Sequence, residues 1–139
     1  MNSPQRLKNT ISIRVGIRCQ YDHLEKVDIS SKFTFKTGFG GTVIAYACAG
    51  IVQLTVTLST IPTLSANASY EVFDALTDAV AQAKNNVFVD AHRASNYYDY
   101  GTPMLAMLPA SNNGALRIST GSSVGSGNVR FSMTYVNNE

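Results

Sequence analysis

Asp90 and His92 are the residues of this sequence whose types and spacing come nearest to a chemical site. They stand two positions apart in segment 86–94, where apolar and polar residues alternate, so a strand would place both side chains on one face. A carboxylate beside an imidazole suits a metal site or a general acid and base, but the surrounding sequence offers no third ligand. We therefore expect a surface or interface pair.

Other signatures of catalysis are missing from the sequence. The pattern G-x-S-x-G occurs once, at 121–125, in a loose Gly/Ser-rich connection without the strand–turn–helix context of a nucleophile elbow. The glycine-rich segments also lack the lysine and the strand–loop–helix context of a phosphate-binding loop. We therefore expect no enzyme, no metal and no cofactor. A glycan-acting hydrolase that uses Asp90, His92 and a serine is the less favoured alternative.

Segment 95–101 is the best candidate for a binding loop, because three of the seven tyrosines fall within four residues of it. Tyrosine supplies rigid amphipathic contact area, and its ring stacks on sugar rings. Asn and Asp side chains can accept hydrogen bonds from the sugar hydroxyls. The same rings could instead pack against a neighbouring subunit, since tyrosine is also enriched at interfaces. With the polar positions of the preceding strand, the candidate ligand-binding residues are Tyr97, Tyr98, Tyr100, Asp99, Asn96, Asp90, His92 and Arg93.

The chain is organised around segment 42–60, its longest strand-like run. The second half of this run alternates, with Val52, Leu54, Val56 and Leu58 on one face, while the first half is apolar on both faces. Ala49-Gly50 is the natural place for a tight turn between the halves. Period-two segments recur at 10–19, 32–37, 86–94, 104–108, 115–120 and 128–136, which predicts an all-β, antiparallel, jelly-roll-like sandwich of about 8–9 strands.

One segment departs from this pattern. Phe73, Leu76, Val80 and Ala83 recur at spacings of three and four in an Ala-rich stretch. This spacing favours one short helix near 75–84, after a strand that ends at about Asp74.

Composition limits the domain organisation and the partners. The 139 residues suffice for a single domain, which we expect over 10–139 after a flexible N-terminal stub at 1–9. Charged residues make up 14%, below the ~25% of average domains, which suggests surface buried against other subunits. The net charge of +2 contains no basic block, so no nucleic-acid partner is expected. Neither a secretory signal nor a long apolar run is present, so we expect no export by that route and no membrane insertion. Without export, Cys19 and Cys48 are expected to be free thiols.

The order of the segments resembles a known family. An early strand leads to Y-x-x-x-G-I-V-x-L-x-V at 46–56, a late x-N-N-G-x-L-x-I hairpin follows at 111–118, and G-N-V-R-F-S-M-T-Y-V ends the pattern at 127–136. Together these segments resemble the C-terminal head, or receptor-binding, domain of phage and prophage tail-fibre or baseplate proteins.

The resemblance implies a homotrimer that recognises a saccharide on the surface of the bacterial host. It also implies contacts with other tail or baseplate proteins through the N-terminus, synthesis in the host cytoplasm and a final place in the virion tail or baseplate. The main alternative is a purely structural component of the virion or baseplate that binds no ligand.

Overall fold

A computed structural model gives the structure of the protein and describes residues 25–94, 102–110, 114–125 and 127–139. The described part contains eight strands and one 3-10 turn, Ser30–Lys32. The strands are β1 (Val27–Asp28), β2 (Gly40–Cys48), β3 (Ile51–Thr60), β4 (Ser69–Glu71), β5 (Val87–Ala94), β6 (Thr102–Leu108), β7 (Arg117–Thr120) and β8 (Asn128–Val136).

All eight strands belong to one antiparallel sheet in the order β1-β2-β3-β8-β5-β6-β7-β4. The sheet curls over its own buried face, and both halves contribute to a single core, whose fully buried members include Leu54, Leu108 and Ile118. The predicted all-β antiparallel fold is confirmed. Residues 1–9 and the strand expected at 10–19 lie outside the described residues, so the domain boundaries stay predictions.

Strict alternation explains the two central strands. Burial along β8 alternates at every position, with Val129, Phe131, Met133 and Tyr135 inward. The register places Val56 of β3 opposite Phe131, so the buried rows of the two strands meet. Side chains that face each other across an antiparallel pair pack together, and this contact fixes the register.

The turn between β2 and β3 forms where the sequence predicts it. Ala49 and Gly50 both have positive φ, 53° and 80°, and together they join strands that pair from Cys48↔Ile51 onward. Two successive left-handed residues match the twist of a two-residue hairpin. Farther along the same pair, β3 carries one extra residue between the partners of Gly40 and Gly41, which makes a bulge.

The two halves of the sheet are joined by a short seam. β5 pairs with β8 only at His92, Arg93 and Ala94, whereas it pairs with β6 over seven residues. Segment 79–85 lies against the end of β8, where Lys84 N–H donates to Val136 O at 2.9 Å. The sheet can therefore fold over itself at this seam and enclose the core.

The short helix expected near 75–84 does not form, which corrects the prediction. Only one turn is present, in which the Ala81 and Gln82 amides donate to Asp78 O at 2.9 and 3.2 Å. The next backbone groups bond to β8 instead, since Ala81 O accepts a 2.7 Å hydrogen bond from the Tyr135 hydroxyl. Leu76 and Ala83 are buried all the same, so apolar spacing of three and four here reflects packing and not a helix.

Segment 32–37, predicted as a strand, forms only an isolated bridge from Phe35 to Phe73. The stacked rings of this pair have centroids 4.9 Å apart, and Phe33 meets Phe73 edge-on at 5.5 Å. Aromatic packing therefore holds this segment against the core where a longer ladder was expected.

Cys48 is disulfide-bonded, so the prediction of a free thiol there is wrong. The chain has one other cysteine, Cys19, which lies outside the described residues. The prediction rested on the cellular compartment, and a compartment argument cannot tell whether a second sulfur lies within bonding distance of Cys48. In the part of the chain that the structure describes, no helix is long and apolar enough to cross a membrane.

Candidate functional site

β5 presents Asp90 and His92 on the exposed face of the sheet, as the alternation predicts. Asp90 lies opposite Leu105 of β6, while His92 lies between Pro103 of β6 and Arg130 of β8. The described residues contain no group of three or more His, Cys, Asp or Glu side chains that could hold a metal ion. The pair is thus a polar feature of the exposed sheet surface.

Arg93, the third candidate on this strand, lies on the opposite face of β5 from Asp90 and His92, and its role in binding stays a prediction. It is half-buried and pairs with Val129, a fully buried core residue. Its side chain packs over Gly127, where an added Cβ would overlap the guanidinium group. Arg93 therefore lies on the inner face of the sheet, next to the seam.

The tyrosine loop itself, with Asn96, Tyr97, Tyr98, Asp99 and Tyr100, lies outside the described residues. Its role in binding stays a prediction. The strand ends that flank it are described: Ala94 pairs with Asn128, and Thr102 pairs with Arg93. These pairs place both ends of the loop at the seam between the halves of the sheet.

An apolar patch lies beside Asp90 on the same outer face. Phe88 is 57% exposed, and Leu105, diagonal to it on β6, is 40% exposed. Met107 lies directly opposite Phe88 and is half-buried. Exposed aromatic and aliphatic side chains in one patch favour contact with another molecule.

A cleft of about 600 Å³ adjoins this patch on the outer face. It lies between the turn before β4, the start of β6 and the end of β7, and its lining residues are Asn67, Ala68, Ser69, Pro103, Met104, Leu105, Ser119, Thr120 and Gly121. The sequence analysis missed this site because its three segments are far apart in the chain. Only the pairing of Leu105 and Ser69 with Ser119 brings them together.

The polar groups of the cleft are held in defined positions. Asn67 has a positive φ of 60°, and its N–H donates to Thr120 O at 2.8 Å, which fixes the turn to β7. Arg117 donates to Ser69 Oγ at 3.4 Å and to Glu71 Oε2 at 2.9 Å. The Ser69 hydroxyl is therefore an acceptor within the protein and keeps its own proton for another partner.

Tyr70 of β4 stabilises the segment that precedes this strand. Ser65 N–H donates to the Tyr70 hydroxyl at 2.8 Å, and this hydrogen bond lowers the pKa of Tyr70. Farther back, Leu64 and Val124 exchange backbone hydrogen bonds of 2.8 and 3.0 Å. The wall of the cleft thus consists of backbone anchored at several points.

A smaller depression of about 330 Å³ lies on the other half of the outer face, over β2, β3 and β8. Lys26 Nζ lies 4.4 Å from the centre of the Tyr46 ring at its edge, a cation–π contact. Thr55 and Ser132 form part of its floor, and their hydroxyl oxygens are 3.5 Å apart. This depression is a polar sheet surface with one aromatic side chain.

The fold is similar to that of a phage head domain. The head domain of phage bIL170, a receptor-binding domain of a lactococcal phage, matches the chain with a TM-score of 0.57 at 14% sequence identity, over 82% of this chain and 98% of that domain. No protein-family model matches the sequence, and no curated protein matches it significantly. At this identity the similarity concerns the fold, and it confirms the family resemblance at that level. The chain has the fold of a phage receptor-binding head domain.

Proposed function

We propose that this protein is the receptor-binding head of a phage-like tail fibre or baseplate, and that as a homotrimer it recognises a saccharide on the host cell surface. The observation that carries the proposal is the fold shared with the bIL170 head domain, a receptor-binding domain and not an enzyme. The outer face supports it, because it combines an exposed polar pair, an apolar patch and a cleft.

The mechanism is binding without chemistry. Asp90 and His92 offer a charged acceptor and a ring nitrogen on an exposed face, next to the ends of the tyrosine loop. A single open site of this kind binds weakly, but three sites in one trimer act together on a surface that carries many copies of the ligand. The N-terminus would connect the head to other tail or baseplate proteins.

Assembly into a trimer is supported by the low charge fraction and by exposed apolar side chains. Ile44, Phe88, Leu105 and Val136 are each at least 40% exposed on the outer face. Cyclic symmetry would place equivalent loops of the three subunits at one end of the assembly. Light scattering at low micromolar concentration should then report three times the chain mass of 15.0 kDa.

Binding and mass measured on the same variants test the function. The wild type should bind at least one strain in a panel of bacterial cells that includes lactococci, and at least one polysaccharide purified from their surfaces. Replacing Tyr97, Tyr98 and Tyr100 by Ala should abolish that binding while the trimer stays intact, because a loop tip contributes little to core packing.

Two results would count against this assignment. A triple variant that separates into monomers would give the tyrosines a role in the subunit interface. Absence of binding by an intact wild-type trimer would favour a structural virion component. His92→Ala serves as the control for hydrolysis: turnover of ester or glycoside substrates by the wild type that this variant loses would contradict binding without chemistry.

A further inference from the structure

We propose that the cleft between β4, β6 and β7 is a binding site for an uncharged saccharide unit. The proposal rests on the proposed saccharide recognition and adds to it a place and a ligand class. Neither Asp90 nor His92 is among the described residues that line the cleft. The cleft would therefore be a separate contact point on the outer face.

The size and lining of the cleft suit a small polar ligand. Its volume of about 600 Å³ falls within the ~300–1,000 Å³ typical of small-molecule sites. Pro103 and Leu105 supply an apolar wall, and Leu105 is 40% exposed. Asn67, Ser69 and Ser119 supply the polar groups on the other sides. Apolar walls combined with a few fixed polar groups can hold the C–H faces and the hydroxyls of a sugar ring together.

The polar groups offer both donors and acceptors. The Ser69 hydroxyl already accepts from Arg117, so its proton can be donated to a ligand. The side chains of Asn67 and Ser119 make no hydrogen bond to any residue of the described ranges, which leaves an amide donor, an amide oxygen and a hydroxyl available. A sugar hydroxyl both donates and accepts hydrogen bonds. The donors and acceptors of Asn67, Ser69 and Ser119 can therefore pair with it in either direction.

The charges around the cleft argue for a neutral ligand. None of the nine lining residues in the described part of the chain is charged. The guanidinium nearest to Ser69 belongs to Arg117, which is paired with Glu71 at 2.9 Å, and Lys36 also lies 3.4 Å from Glu71. An anionic ligand would therefore lose hydration without gaining a cationic partner in the lining.

The cleft is also preorganised. The hydrogen bonds from Asn67 to Thr120 and from Ser65 to Tyr70 hold the loop that forms one wall, and paired strands form the others. Thr120 uses its own hydroxyl to bind the backbone of Ser122 at 3.0 Å. A ligand therefore meets a preformed surface, which reduces the ordering cost of binding.

A glycan array followed by titrations tests the assignment. The probes are immobilised neutral oligosaccharides and their phosphorylated and uronic-acid counterparts. The wild type should bind a neutral probe, and its dissociation constant should change less than about twofold between low and high salt, because screening acts on charges. Selective binding of the anionic probes, or a loss of more than about tenfold in high salt, would overturn the proposal.

Three variants locate the site. Ser119→Trp should fill the cleft and reduce affinity for the neutral probe at least tenfold. Ser69→Ala should reduce it about threefold to tenfold, the effect of one lost hydrogen bond. Ser132→Ala, an exposed hydroxyl on β8 in the other half of the outer face, should bind like the wild type. Thermal unfolding of each variant checks that folding is retained, and Ser69→Ala tests the proposal even if the larger side chain of Ser119→Trp disturbs the sheet.

The outcomes separate this proposal from the proposed function. If the wild type binds glycans and both cleft variants bind equally well, receptor binding stands and the cleft assignment fails. If the wild type binds neither cells nor glycans, the proposed function fails and the cleft assignment fails with it.

Discussion

Replacing Tyr135 with Phe should lower the free energy of unfolding by about 2 kcal/mol. The side chain is 6% exposed, and its hydroxyl donates a 2.7 Å hydrogen bond to Ala81 O. The substitution keeps the ring, so no large cavity forms. The loss comes from a buried carbonyl left without this donor, which costs about 1–3 kcal/mol. For a chain of this length the midpoint of thermal unfolding should fall by about 6 °C.

Urea unfolding at neutral pH measures this effect, and Tyr46→Phe is the matched control. Tyr46 is half-buried on the outer face, and its ring contact with Lys26 does not involve the hydroxyl. The control should therefore stay within about 0.5 kcal/mol of the wild type. Equal stability of Tyr135→Phe and the wild type would refute the assigned role of the hydrogen bond.

Alkaline pH provides a second, independent test on the same variant. Burial raises the pKa of Tyr135 above its usual 10.0, so the folded protein keeps this phenol protonated where the unfolded chain ionises. Ionisation of Tyr135 in the unfolded chain alone therefore favours unfolding at high pH. The free energy of unfolding is unaffected by this group below about pH 10 and falls above it, by up to about 1.4 kcal/mol for each pH unit. The stability difference between the wild type and Tyr135→Phe should narrow by about 1 kcal/mol by pH ~10.8. A difference that stays constant would contradict burial of the phenol.

Three further substitutions or reactions test the backbone and the disulfide. Gly41→Ala would place a Cβ on a backbone carbonyl of β3 and should lower the free energy of unfolding by more than about 3 kcal/mol. In the control Gly40→Ala the nearest atom to the added Cβ is 3.7 Å away, so the loss should be less than about 1 kcal/mol. Gly127→Ala, at a φ of 139°, should lower the free energy of unfolding by about 1–3 kcal/mol, because the added Cβ would overlap Arg93. Gly125→Ala, where the added Cβ meets no atom within 4 Å, should leave it almost unchanged. Cys48 should not react with a thiol reagent in unfolded, unreduced protein; labelling of that residue would contradict the bond.

The long strands were predictable because one face of each enters the core. Segments 51–60 and 128–136 alternate in the sequence because every second side chain is buried, and both are strands in the structure. Segment 75–84 was predicted wrongly for a related reason. Burial selects apolar residues there as well, but after a single turn the backbone bonds to β8 and does not continue as a helix, and apolar spacing alone cannot reveal that choice. The order of strands depends on long-range pairing, which leaves no local pattern.

The candidate site was predictable only in part. Alternation places Asp90 and His92 on one face, and the same rule, applied to the next position, places Arg93 on the other. The cleft could not be predicted from the sequence, because its residues come from three segments that become neighbours only through the register of β4, β6 and β7. Asn67 and Ser69 show no motif that could reveal this neighbourhood.

The central place of β8 has a consequence for how the protein folds during synthesis. β8 follows all the other described strands in the chain, yet it lies between β3 and β5 and pairs with both. The pairing of Ile51 with Val136 therefore cannot form before the ribosome has released residues 128–136, and until then the two halves of the sheet stay unjoined. Contacts of such long range slow folding. Until then the edge of β3 is open to pairing with other chains, so correct folding competes with aggregation during this interval.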